Sequence, residues 1–157
     1  NAGHEATVNT IGNSIVTLTN NNIDTLELDK KHNIKNIIEE LIRYDSPLQF
    51  FQRWVLDDDE VGGVKVKKHS KVAILLGSAN RDSSAFSNAD ELNFDRANLS
   101  HTSFGGGVHF CLGAHLARLE LEVSFNNLFS NSISLHELPE RTGAFGIRGF
   151  KSIRVNI

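Results

Sequence analysis

Three consecutive glycines, Gly105, Gly106 and Gly107, stand just ahead of the chain's only cysteine, Cys111, and a fourth, Gly113, follows it in the run FGGGVHFCLG. Glycine loses more conformational freedom on folding than any other residue, so a regular element does not run through such a stretch. Its use is to let the backbone turn where other residues cannot. Beyond it, Leu112, Leu116, Leu119 and Val123 recur at helical spacing, which places the cysteine where a tight loop becomes a helix. The first N–H groups of a helix lack internal partners and carry partial positive charge, so a sulfur there is favoured as thiolate. By itself the loop leaves three readings open. Cys111 is a buried structural residue, a catalytic thiolate with His109 or His115 as base, or one ligand of a small metal site with both histidines.

The composition narrows the class. Of 157 residues, 39% are hydrophobic and 22% charged, with a net charge of −3, as in a globular domain with one core. No basic block marks a nucleic-acid or anionic-membrane partner, so neither DNA nor RNA binding is expected. No apolar run approaches the roughly 20 residues of a membrane span. One cysteine allows no internal disulfide. The chain has no Met and opens on a running helical pattern, Val8, Ile11, Ile15 and Leu18, which reads as a piece of a longer protein.

Asn20 to Asn22 end that first helix. A second pattern, Ile34, Ile37, Ile38, Leu41 and Ile42, runs until Pro47 forbids its continuation. LQFFQRWVL reads as a strand, DDDEVGG as a turn and VKV as a short strand returning on it. VAILLGSA is too short to assign to helix or strand, and residues 80–103 read as a long irregular loop anchored by Phe86, Leu92, Phe94 and Leu99. The last residues, with Gly143, Gly146 and Gly149, read as a terminal hairpin.

Phe104, Gly107, Cys111 and Gly113 fit the pattern F-x-x-G-x-x-x-C-x-G, and through it the chain resembles the cytochromes P-450, the haem-thiolate monooxygenases. The fold this implies is mainly α with small antiparallel β elements. Residues 1–157 would be the C-terminal haem-binding part of a single domain, from the end of the central oxygen-binding helix through the cysteine loop and proximal helix. Cys111 is then the axial ligand of haem b (iron protoporphyrin IX), its thiolate favouring O–O cleavage. Amides of the loop, with Gly105 and Gly113 in it, would face the sulfur, Phe104 would cover it, and His109 would pair with a haem propionate.

Other stretches extend the resemblance. Glu40 and Arg43 share a helical face and alone read as an ion pair worth about 0.2–0.5 kcal/mol. They are similar to the family's E-x-x-R pair, for which Arg96 would be the third member, holding the core under the haem loop. Arg53 occupies a place where the family puts a propionate partner. AGHEAT, residues 2 to 7, resembles the oxygen-activating stretch: Gly3 leaves room for dioxygen and Glu5 takes part in proton delivery. Ala6 departs from the pattern, because a threonine hydroxyl is usual there, and Thr7 lies about 100° around the helix. The implied activity is oxygen insertion into an apolar small molecule, with electrons from NAD(P)H through a ferredoxin or flavodoxin and its reductase. The donor would dock at His115 and Arg118, and substrate would meet residues 48–50 and the region of Phe145 and Gly146, with Gln49 available to orient a polar group. A cytoplasmic location is implied by the same branch. Ala6 supports a peroxide-using enzyme as an alternative, and the shortness of the chain a haem-binding remnant without turnover.

Overall fold

The computed structural model describes residues 2–157, the side chains of residues 2 and 29 excepted. Helix α1 (Ala2–Asn20) is a single rod, and it is buried nearly all round from Asn13 to Leu18, so its polar residues are as enclosed as its apolar ones. A helix unanticipated from sequence, α2 (Thr25–Lys31), follows it. Asp24 caps that helix by accepting from the Leu26 N–H at 3.0 Å, and Leu28 is its one side chain in the core. Only two leucines mark it in sequence, too few for a period. Helix α3 (Ile34–Tyr44) is capped by Asn33, whose side chain accepts from the Lys35 N–H at 2.9 Å. It buries Ile37, Ile38, Leu41 and Ile42, each 3% exposed or less, against Leu18 and Phe94.

The strands pair differently from the reading of the sequence. β1 (Phe50–Trp54) is joined by β4 (Lys71–Leu75) in register Phe50↔Leu75. The VKV segment, β3 (Val64–Val66), instead returns on β2 (Asp59–Val61). Gly62 and Gly63 between them have φ of 57° and 80°, the two positive values that a tight two-residue hairpin turn requires. VAILLGSA divides: its first half is β4 and its second the short α4 (Leu76–Ala79). Residues 80–106 form no helix or strand, with Phe86 and Phe94 buried as anchors. The terminal hairpin has β5 (Ser134–Leu135) against β6 (Val155–Asn156), continues through the bridge Arg141↔Phe150, and is tied near its tip to the segment before β1 by the bridge Leu48↔Ile147.

The last helix, α5 (Ala114–Leu128), corrects the expected apolar face. Leu112, Leu116, Leu119 and Val123 are all more than half exposed. Ala114, Leu121 and Phe125 face the core instead, where the Phe125 and Phe129 rings stack at 5.0 Å. A stripe of helical period exists on both sides of α5, and packing against α1 and α3 selects the one that ends in phenylalanines. Among the described residues no helix is long and apolar enough to cross a membrane.

Candidate functional site

The cysteine loop is closed by one main-chain hydrogen bond, from the Cys111 N–H to the Phe104 carbonyl at 2.9 Å. Gly105 and Gly107 take φ of 72° and 60°, the left-handed region where a side chain is strained, and residues Gly107–His109 form a single 3₁₀ turn. Gly113 caps α5, and the Ala114 N–H donates to the Cys111 carbonyl at 3.3 Å. The thiol itself is exposed. The Cys111 amide itself is spent on closing the loop. The reading of Cys111 as a buried structural residue is overturned. So is the three-ligand metal site, since no three His, Cys, Asp or Glu side chains among the described residues converge on a common point.

Cys111 opens on an apolar cleft of about 400 Å³. Phe104, His109, Gly113, Leu116 and Ala117 form its wall on the sulfur side; Gly3, Glu5, Ala6, Thr7 and Thr10 of α1 form the opposite wall; Leu48, Phe51 and Ile147 close a third. Elements far apart in sequence thus meet around one thiol. A Cβ at Gly3 would touch nothing within 4 Å. Ala6 and Thr7 both line the cleft, so Thr7 reaches it despite its angular offset. Thr10, one turn on from Ala6, is buried and donates its hydroxyl to the Ala6 carbonyl at 2.8 Å. Arg53 is exposed and does not line the cleft, but it shares a face of β1 with Phe51 and lies 5.4 Å over that ring, at the rim.

The regions of Phe50 and Phe145 come together, their rings 5.1 Å apart. Gln49 turns the other way: its amide donates to the Ser46 carbonyl at 2.6 Å and lines a separate polar depression with Arg81, Arg141 and Arg148. It is not placed to orient anything beside Cys111.

Glu40, Arg43 and Arg96 form one buried cluster. Arg43 donates Nε and Nη2 to the two Glu40 oxygens at 2.7 and 2.8 Å, Arg96 donates Nε and Nη2 at 3.2–3.4 Å, and the Asn93 N–H adds a main-chain bond at 2.9 Å. Glu40 and Arg43 are fully buried and Arg96 is 7% exposed. The surplus positive charge is met by main-chain carbonyls of the irregular loop. Asn80 and Ala89 accept from Arg43, Ser87 and Asn88 from Arg96, and Glu91 from both. The loop is irregular because its carbonyls bend inward around two guanidinium groups.

Sequence reasoning missed three residues that brace the cysteine loop. Asn80, fully buried, accepts from the Thr102 N–H at 2.7 Å and donates to the Ser103 hydroxyl at 2.7 Å. Glu39 binds Arg118 through both oxygens, at 2.6 and 2.8 Å, and lies 3.1 Å from Nε2 of His101. Burial pushes the Glu39 carboxyl up, but the bonds from Arg118 and His101 outweigh it and hold it at about 2. Arg118 is therefore bound and lies 4.5 Å over the Phe104 ring, not free for docking as expected, whereas His115 is exposed on the side of α5 away from the cleft. No spacing could have shown these contacts, which span 62 and 79 residues.

A cysteine loop at a helix start, a buried Glu–Arg–Arg cluster and a long helix lining an apolar cleft together define the fold of the cytochromes P450. The family model for Cytochrome P450 matches residues 2–137, and the chain belongs to the cytochrome P450 family. It is 39% identical over 158 aligned positions to a steroid C26-monooxygenase of Rhodococcus jostii (strain RHA1), covering 99% of this chain and 33% of that protein. It is 41% identical to a biotin biosynthesis cytochrome P450 of Bacillus subtilis (strain 168), covering 98% and 40%. The crystal structure of P450BioI with an acyl carrier protein ligated to hexadec-9Z-enoic acid superposes with a TM-score of 0.91 at 38% identity, over 98% of this chain and 41% of that one. The chain thus spans well under half the length of these relatives.

Proposed function

We propose that the protein to which this chain belongs is a haem-thiolate monooxygenase, with residues 1–157 as the C-terminal haem-binding part of a single domain and Cys111 as the axial ligand. The observation that carries this reading is the exposed thiol of Cys111 on an apolar cleft faced by the start of α1. The residues fit the group. There is one sulfur donor with no rival ligand cluster among the described residues, and the cleft falls within the roughly 300–1,000 Å³ usual for cofactor pockets. The open space at Gly3 leaves α1 able to approach a flat macrocycle.

When bound, the haem supplies the iron chemistry of dioxygen activation, which thiolate ligation directs toward O–O cleavage. The chain's own residues do the rest. The Cys111 N–H to Phe104 bond holds the sulfur in place. His109 on the cleft wall and Arg53 at its rim offer donors for the two carboxylates of haem b, Arg53 through two parallel N–H groups. Glu5 relays protons through water toward the cleft, which the Thr7 hydroxyl and the methyl of Ala6 line beside it. Phe51, Leu48 and Ile147 exclude water. The substrate class is an apolar small molecule; the steroid and the fatty acyl chain named for two relatives are both apolar. Electrons come from NAD(P)H through a ferredoxin or flavodoxin with its reductase, in the cytoplasm. The missing hydroxyl at Ala6 favours one alternative, turnover with peroxide in place of external electrons.

The test is the absorption of reduced, carbon monoxide-treated protein before and after Cys111→Ser. The thiolate-type Soret band must appear in the parent and vanish in the variant. A band unchanged by the substitution overturns the assignment.

A further inference from the structure

The helix that opens at the cysteine loop carries a cation packed against that loop, Arg118. Arg118 also covers the ring of Phe104, whose carbonyl closes the cysteine loop. Its charge is not free to act alone, because Glu39 takes both of its inner donors in a planar fork. His101 completes the arrangement. Its side chain is 1% exposed, its Nδ1 lies 3.3 Å from the Ser103 amide nitrogen, and its Nε2 lies 3.1 Å from the Glu39 carboxylate, which it holds in place.

We propose that Glu39 is a positioning residue that, through Arg118, sets the electrostatic potential at the Cys111 sulfur and hence the reduction potential of the haem bound there. The inference rests on the haem reading above. Reduction places one electron on the iron and breaks no bond, so the metal–sulfur unit gains one negative charge. A nearby cation stabilises that state and raises the potential; an anion paired with the cation restores it. Glu39 is therefore a brake on the influence of Arg118.

The experiment is spectroelectrochemical titration of the haem-loaded protein with a chemical reductant, in the parent and in Glu39→Gln, Arg118→Gln, Arg118→Lys and the Glu39→Gln/Arg118→Gln pair. Glu39→Gln must shift the potential upward, Arg118→Gln must shift it downward, and the double variant must return toward the parent. Arg118→Lys, which keeps the charge and loses the fork, must stay near the parent. General loosening of the loop moves all variants in one direction, so shifts of the same sign overturn the proposal, as does an unchanged potential in Glu39→Gln. If Glu39→Gln takes up no haem, the two Arg118 variants decide: equal potentials for lysine and glutamine overturn it. A parent that binds no haem would instead refute the preceding functional reading, so the two failures are distinguishable.

Discussion

Neutralising Glu40 is the sharpest test of how the chain holds its cysteine loop. In Glu40→Gln the side chain keeps its volume, but two guanidinium groups lose their only carboxylate while Arg43 is fully buried and Arg96 nearly so. Removing one partner of a buried ion pair costs about 3–5 kcal/mol, chiefly because the other charge remains desolvated. Here the remaining charge is double. The loop carbonyls that bind the two arginines stay in place, which keeps the cost within that range. Against a typical domain stability of about 5–15 kcal/mol, the loss approaches the whole margin of a weakly stable protein. Arg96→Gln should cost less than Arg43→Gln, because the Arg96 contacts to Glu40 are 3.2–3.4 Å and those of Arg43 are 2.7 and 2.8 Å. The double variant Glu40→Gln/Arg96→Gln should lose less than the sum of its singles. Urea unfolding of the parent and the four variants measures these differences. A Glu40→Gln cost below about 1 kcal/mol would show that the carbonyls alone solvate the arginines, and the reasoning from charge balance to stability would fail.

Three further outcomes are expected. Ala6→Thr restores a hydroxyl to the cleft wall, and should lower the peroxide released per substrate oxidised; an equal ratio in both proteins argues against a role for this position in proton delivery. Glu39 is held at about 2 against an ordinary 4.5, so its contribution to stability is complete above pH 4.5 and fades as the pH falls toward 2. Unfolding measured across that window should therefore be less pH-dependent in Glu39→Gln than in the parent. Asn80→Ala strands the Thr102 amide and the Ser103 hydroxyl from their partner, and thermal melting should report a loss of about 1–3 kcal/mol for each group left unsatisfied.

Much of the site could be read from local rules. The left-handed glycines, the loop-to-helix junction at Cys111 and the shared face of Glu40 and Arg43 follow from backbone sterics and a 3.6-residue period, which act over a few residues. The partner of Glu40 across the loop, Arg96, came through family resemblance and could not have come from spacing. Where local reading went astray, two solutions were locally equal. The apolar stripe of α5 had a rival on its other face, and the VKV strand had two possible partners until the Gly62–Gly63 turn brought it onto β2.

The chain by itself determined which residues are chemically able to act: a lone thiol at a helix start, a carboxylate in the first turn of α1, and arginines in reach of one glutamate. Only the tertiary structure decided what surrounds them. The empty space at Gly3, the Glu39–Arg118 fork and the seat of His101 against Glu39 each depend on groups from different elements meeting at hydrogen-bond or van der Waals distance. A sequence pattern records what a few neighbouring residues prefer, whereas such meetings are selected by the packing of the whole core.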